Sequence, residues 1–341
     1  MTQPPEDKAA PACKPDWERA KRRWEAFWDL ARTDRPCMDV RAPSGARPDP
    51  PPPVQDLEQL YFDPDHVAAR WEYALASTYF GGEAVPAGGF LMGGYAIGCG
   101  PDVRFADNTV WHPVTMDSLD GPVRWHPGPD DPWTRKLEAV LRRLLDLAPG
   151  RFLVGYAMQV PCNDLLALLR GVDDFLMDLA QDMPKCRARL EETFELWVAT
   201  FEFLRGVVDE RQQAGCVWGW PGLWHPDFIK VTQSDISCMI SGEMFEQYVM
   251  HEMDLLAERY GPLWYHLDGP DAVRHAPTLL SRPYLRALQY IPGAGQPPNG
   301  PHWMDLYRLV QKSGRCLDIS VPREHVEYVV RRLRPEGLVV R

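Results

Sequence analysis

From about residue 132 to residue 340 the hydrophobic pattern switches repeatedly between helical and strand periods. Leu137, Val140, Leu141, Leu144 and Leu145 recur at intervals of three and four, which predicts a helix over 132–147 opened by Asp131-Pro132. A strand RFLVGYAM (151–158) follows, then helices over 163–180 and 184–207. Strands at 216–220 and 230–235 precede a helix at 242–260, with Phe245, Tyr248, Val249, Leu255 and Leu256 facing inward. The remainder reads as strand 262–268, a short helix, strand 286–291, helix 302–313, strand 316–320, helix 322–334 and strand 337–340. Upstream, Trp17, Trp24, Phe27 and Trp28 form one stripe of a helix over 16–31, and PCMDV (36–40) is a short strand. Asp63-Pro64 starts a further helix whose apolar face is Val67, Trp71, Leu75 and Tyr79.

Strands that alternate with helices and are apolar enough to be covered on both faces specify a mostly parallel sheet. The candidate strands at 36–40, 151–158, 216–220, 230–235, 262–268, 286–291, 316–320 and 337–340 fit a (β/α)8 TIM barrel, an α/β fold. Two stretches fall outside the alternation. The proline run at 41–54 is a loop, and 81–131 is a glycine-rich irregular insertion read as crossing the barrel mouth. Residues 1–15 are polar and proline-rich and are expected to be a disordered tail, leaving 16–341 as one barrel domain.

Composition narrows the partners. A formal charge of −11 with no strongly basic stretch argues against nucleic acid, and RRLR at 331–334 reads as the charged end of a helix. The N-terminus does not resemble a signal peptide and no apolar run is long enough to span a bilayer, so no membrane association and a cytoplasmic location are expected. Eight cysteines without a CxxC pair argue against a disulfide scaffold or a zinc knuckle. The 13 tryptophans supply either large core residues or rings that stack on a flat ligand. With no GxGxxG after the first strand and no GxxxxGK[ST], nucleotide-binding folds lose their main support.

In a barrel the chemistry belongs at the carboxyl ends of the strands. Period-2 alternation puts Trp264, His266 and Asp268 on one side of the strand 262–268, and Gly269-Pro270 ends it. His266 and Asp268 are therefore the leading catalytic candidates, with Asp235 as their partner at the end of VTQSDIS. Gln159, Asn163 and Asp164 follow an earlier strand, Trp218 and Trp220 another, and Gln233, Gln289 and Asp318 complete the polar strand ends. Trp218, Trp220, Gln233 and Gln289 are the candidate substrate contacts. His266, Asp268 and Cys316 together make a nitrogen, oxygen and sulfur set that suits zinc with one position open. The competing readings are structural: Asp268 and Asp235 as helix caps, and Cys316 as buried filler.

Several segments also resemble the uroporphyrinogen decarboxylase superfamily: QSDIS (233–237), MFEQYVMHEMDLL, YHLDGPDAVRH (265–275), LQYIPGAG (288–295) and the GRCLDISVP to RRLRPEGL tail. The resemblance runs from about residue 150 to the end and is to a divergent branch. It implies a (β/α)8 barrel and one of two chemistries: cofactor-free decarboxylation of porphyrinogen acetates, or methyl transfer involving a corrinoid protein or a thiol, often with zinc. It also makes a homodimer an expectation. In place of the decarboxylases' arginine-rich loop this chain has DRPCMDVRAPSGAR, where Arg35 and Arg41 are candidates to hold a substrate acid. Where the zinc methyltransferases carry His-x-Cys, it has His266-Leu267-Asp268. Three functions follow. The first is a one-carbon or methyl transferase acting on a small molecule, with a corrinoid-bound methyl group and zinc as its cofactors. The second is a decarboxylase-like lyase without cofactor, acting on a carboxylated small molecule or tetrapyrrole. The third is a non-catalytic ligand-binding barrel with a filled mouth.

Overall fold

The computed structural model describes residues 11–88, 91–157 and 159–341. Residues 1–10 of the expected tail, residues 89–90 of the insertion and residue 158 of the expected strand lie outside the described residues. Thirteen strands are present among them: β1 Cys37–Pro43, β2 Thr78–Gly82, β3 Ala87–Gly88, β4 Arg104–Phe105, β5 Val110–Trp111, β6 Leu153–Val154, β7 Cys216–Trp218, β8 Leu223–His225, β9 Lys230–Gln233, β10 Leu263–Asp268, β11 Leu285–Ile291, β12 Cys316–Ile319 and β13 Leu338–Val340.

Seven of them form one sheet in the order β2-β1-β13-β12-β11-β10-β9, parallel except where β2 runs antiparallel to β1. Beyond it, β3 pairs in parallel with β6, and the Tyr156 amide donates to Val217 O at 2.9 Å, which joins that pair to β7. Gly155 sits where these segments converge. A Cβ there would collide with the backbone of Gly219 and Gly88, so only glycine permits the approach. A largely parallel sheet with helices around it is a mixed α/β architecture of TIM-barrel-like kind.

The helices start where the sequence places caps. Asp63 accepts from His66 N and Asp131 from Thr134 N, each followed by proline at the first helical position. In helix Pro132–Leu147 the residues Leu137, Val140, Leu141, Leu144 and Leu145 are all buried, each worth about 1.5–3 kcal/mol of apolar transfer. The expected helix at 163–180 is two helices, Cys162–Arg170 and Val172–Gln181, because Gly171 at φ +89° turns the chain between them.

Four expectations change. The helix from Pro64 ends at Ser77, and Tyr79 belongs to β2 with its side chain exposed rather than on an apolar helix face. The first strand runs on to Pro43, into the stretch expected to be loop, because β2 gives it a partner. The insertion 81–131 contributes β3 to the parallel strands, and β4 and β5 form a small hairpin. Residues 11–15, expected to be loose, are anchored: Lys14 is buried and donates to Asp16 (2.5 Å) and Gly82 O (2.6 Å).

Candidate active site at the strand exits

Register brings the polar residues together. His266 pairs with Gln289 on one side and Gln233 on the other, and Gln289 pairs with Asp318. In a parallel sheet partnered residues point to the same face, so Gln233, His266, Gln289 and Asp318 form one rung. Tyr265 and Leu267, of the opposite parity, are completely buried beneath the helices. Two residues further along β10, Asp268 is exposed at the exit.

His266 Nδ1 lies 2.6 Å from Gln289 Oε1, so the ring donates from Nδ1. Trp220 meets the imidazole edge-on at 5.0 Å and Trp264 stacks at 6.4 Å, which holds the ring plane. Gln233 Nε2 donates to Asp235 Oδ1 at 2.9 Å. Asp235 is open to solvent, yet its carboxyl group is raised above the usual range, chiefly by desolvation. The His266 charge works against that rise and Asp268 adds to it, so Asp235, His266 and Asp268 lie close enough for their charges to interact.

The loop that aims Asp235 is held from behind. Asp164, in the first turn of helix Cys162–Arg170, accepts from Asp235 N at 2.8 and 2.9 Å and from Ile236 N at 3.2 Å. Asp164 is itself fully desolvated and stands near the Asp235 charge, so its carboxyl group is held well above the usual range. Glu252, buried on helix Met250–Tyr260, accepts from Cys162 N and Asn163 N at 2.9 Å each and so caps the helix that carries Asp164. These interior carboxylates are satisfied by backbone donors, as burial requires.

A second cluster is built on Asp318, at the end of that rung. Arg341, following β13, donates to Asp318 at 2.7 and 3.0 Å and to Asp39 at 2.6 Å. Burial disfavours the Arg341 charge, but the two carboxylates outweigh it and its affinity for the proton rises. Arg41 also reaches Asp39, at 3.0 and 3.2 Å, and is the half-exposed arginine at this rim.

Not every expected residue arrives at the mouth. Arg35 precedes β1 and is therefore at the amino end of the strands, tied to Glu83 at 2.6 and 2.8 Å. Trp218 is completely buried, donates to Ile229 O and stacks on Phe201 of helix Met183–Asp209 at 5.9 Å. Cys316 begins β12 instead of ending it, and its thiol is turned to Phe27 O in the helical layer. The sulfur of the expected zinc set is thus absent from the site, and no group of three or more His, Cys, Asp or Glu among the described residues could hold a metal ion. The donor set present does not fit zinc. Most tryptophans are structural too: the indoles of Trp24, Trp28, Trp125, Trp133 and Trp197 donate to main-chain carbonyls. Trp220, half-buried, and Trp264, fully buried, both flank His266 and are the tryptophans the site uses.

Sequence reasoning did not foresee Arg341 and Asp39, and the carboxylate Asp318 in an otherwise apolar strand was the signal for a buried cation. Neither a scan against models of protein families nor a search of curated proteins finds a match to this chain.

Proposed function

We propose that the chain is a divergent uroporphyrinogen decarboxylase-like (β/α)8 barrel enzyme, and that it acts as a decarboxylase-like lyase on a small carboxylated molecule. The observation that carries this reading is Asp235, a water-reachable carboxyl group whose proton is held by desolvation and by the neighbouring Asp268. A carboxyl group whose hold on its proton is strengthened is suited to act as a general acid toward carbon. In the reaction the bond from the substrate carbon to its carboxylate breaks and carbon dioxide leaves. The electron pair stays on the carbon, Asp235 delivers its proton there, and solvent water reprotonates the carboxylate. His266, oriented by Gln289, Trp220 and Trp264, contacts the substrate through Nε2. Arg41 at the rim, which also reaches Asp39, offers positive charge to anchor a substrate carboxylate other than the one lost.

Methyl transfer at a zinc centre is the weaker reading, since Cys316 is turned away and the remaining donors do not make a metal site. A binding barrel without chemistry would fill its mouth, whereas Asp235 and Asp268 are open to water.

The test is turnover of a panel of small carboxylic acids in deuterium oxide. The wild type is expected to release carbon dioxide and to place one deuterium on the carbon that lost it, with Asp235→Asn slower by about a hundredfold or more. Stoichiometric zinc that disappears in His266→Ala and Asp268→Ala, with turnover of a methyl donor, would establish the methyl-transfer reading instead.

A further inference from the structure

The turn Asp235–Met239 begins without a cap of its own. Ser234 occupies the capping position, yet its hydroxyl caps nothing and has no hydrogen-bond partner. The first two amides of the turn are met instead from 71 residues away, where both oxygens of Asp164 receive Asp235 N and one of them also receives Ile236 N. One residue before Asp164, the Asn163 side chain donates to Gln233 O at 3.3 Å and to Glu252. The start of helix Cys162–Arg170 therefore holds the main chain on both sides of Ser234, and Glu252 holds that start in turn. Capping alone does not require a carboxylate, because an asparagine oxygen accepts the same amides without the cost of burying a charge. Asp164 is buried, and among the described residues no ion pair reaches it; the buried cation Lys230 acts on Glu252.

We infer that Asp164 is the positioning residue of the proposed acid, fixing the main chain of Asp235 and setting a second carboxyl group directly behind it. The inference rests on the proposed function only in calling Asp235 an acid. Covalent bonds of about 1.5 Å join the Asp235 amide to its own carboxyl carbon, so the two carboxyl groups are no more than roughly 7 Å apart. Two like charges at that range in a desolvated site oppose one another, so the pair gives up one proton and holds the other. Asp235 is the member that faces the substrate. The titratable groups around Asp164 are Glu252, Tyr248 and Tyr265. Those around Asp235 are His266, Asp268, Cys238 and Tyr95. Of all these only His266 can carry positive charge, which is too little to neutralise both carboxylates together with Asp268.

The test is a carboxyl-carbon NMR titration of the full chain with labelled aspartates, in which Asp164→Asn and Asp235→Asn assign the two signals. In the wild type the pair is expected to titrate in two steps, and the single step left in either variant to lie about one pH unit or more below the upper one. Hydrogen exchange of the Asp235 and Ile236 amides should quicken by about tenfold or more in Asp164→Leu, and less in Asp164→Asn, which keeps an acceptor oxygen. In the carbon dioxide assay Asp164→Asn should lower kcat by about tenfold at unchanged KM, a split that a general loss of packing does not produce. Melting temperatures show whether each variant is folded, and Asp235→Asn, changed at an exposed position, keeps the titration decisive if the Asp164 variants are not. An upper step that a folded variant leaves in place, or unprotected Asp235 and Ile236 amides in the wild type, would overturn the inference. Coupled titration in a protein that releases no carbon dioxide would support the inference while refuting the proposed reaction.

Discussion

Lys230 opens β9, the strand that ends at Gln233 and leads to Asp235, and its ammonium is enclosed by rings. The nitrogen lies 4.0 Å from the centre of Phe201 and 4.6 Å from both Trp197 and Trp218. Burial pushes its pKa from 10.5 down to about 7, with the nearby Glu252 opposing the change. Each tenfold change in proton affinity is worth about 1.4 kcal/mol, so the charged form costs the folded state about 5 kcal/mol at low pH. Attraction to aromatic faces, about 2 kcal/mol when desolvated, offsets part of this. The sign follows from the direction of the shift. The unfolded chain binds the proton up to pH 10.5 and the folded chain releases it near 7, so stability rises with pH between those values. Replacing Lys230 by Met removes the titration and keeps most of the stem packing. Urea unfolding of both proteins at pH 7 and pH 9 should show wild type gaining about 2.3 kcal/mol relative to Lys230→Met over that interval. Buried cysteines and tyrosines that titrate higher affect both proteins equally and cancel in the difference. A wild-type minus variant difference that is flat to within about 0.3 kcal/mol would refute the reasoning, because a lysine with an ordinary proton affinity contributes no slope in this range.

Three further outcomes follow from the site. Arg341→Ala leaves Asp39 and Asp318 buried without their cation and should cost about 3–5 kcal/mol in urea unfolding, with Arg341→Lys less damaging. In carboxyl-carbon NMR titrations Asp268→Asn should lower the Asp235 pKa and His266→Ala should raise it, since one neighbour repels the carboxylate and the other stabilises it; shifts in the reverse directions would separate the three residues. Gly155→Ala should destabilise by about 1–3 kcal/mol in the same urea assay, because its methyl group has no room between Gly88 and Gly219.

The alternation of helices and strands after residue 132 was legible because each element announces itself through its own neighbours in sequence. Leu137 to Leu145 mark a helix, and Tyr265 and Leu267 against His266 and Asp268 mark a half-polar strand end, whatever surrounds them. Short elements were harder. Ala87–Gly88 has too few residues for a period, and Thr78–Gly82 is a strand only because β1 pairs with it.

The sequence by itself therefore determined the α/β class, the helix starts at Asp63 and Asp131, and the polar character of the exits of β9, β10 and β12. Tertiary structure alone decided which of those polar groups meet. The register places Gln289 on His266, and chain reversal puts Asp164 behind Asp235 across 71 residues. Arg341 and Asp39 come together across 302 residues, with no local pattern to announce it. Position along a strand separated residues of the same type. Arg35 lies before β1 and Arg41 near its end; Cys316 begins a strand whose last turn carries Asp318 toward the mouth. Periodicity reports which face a residue occupies within its own element. Pairing between elements depends on burial, charge and register contributed by distant segments, and these exist only once the chain has folded.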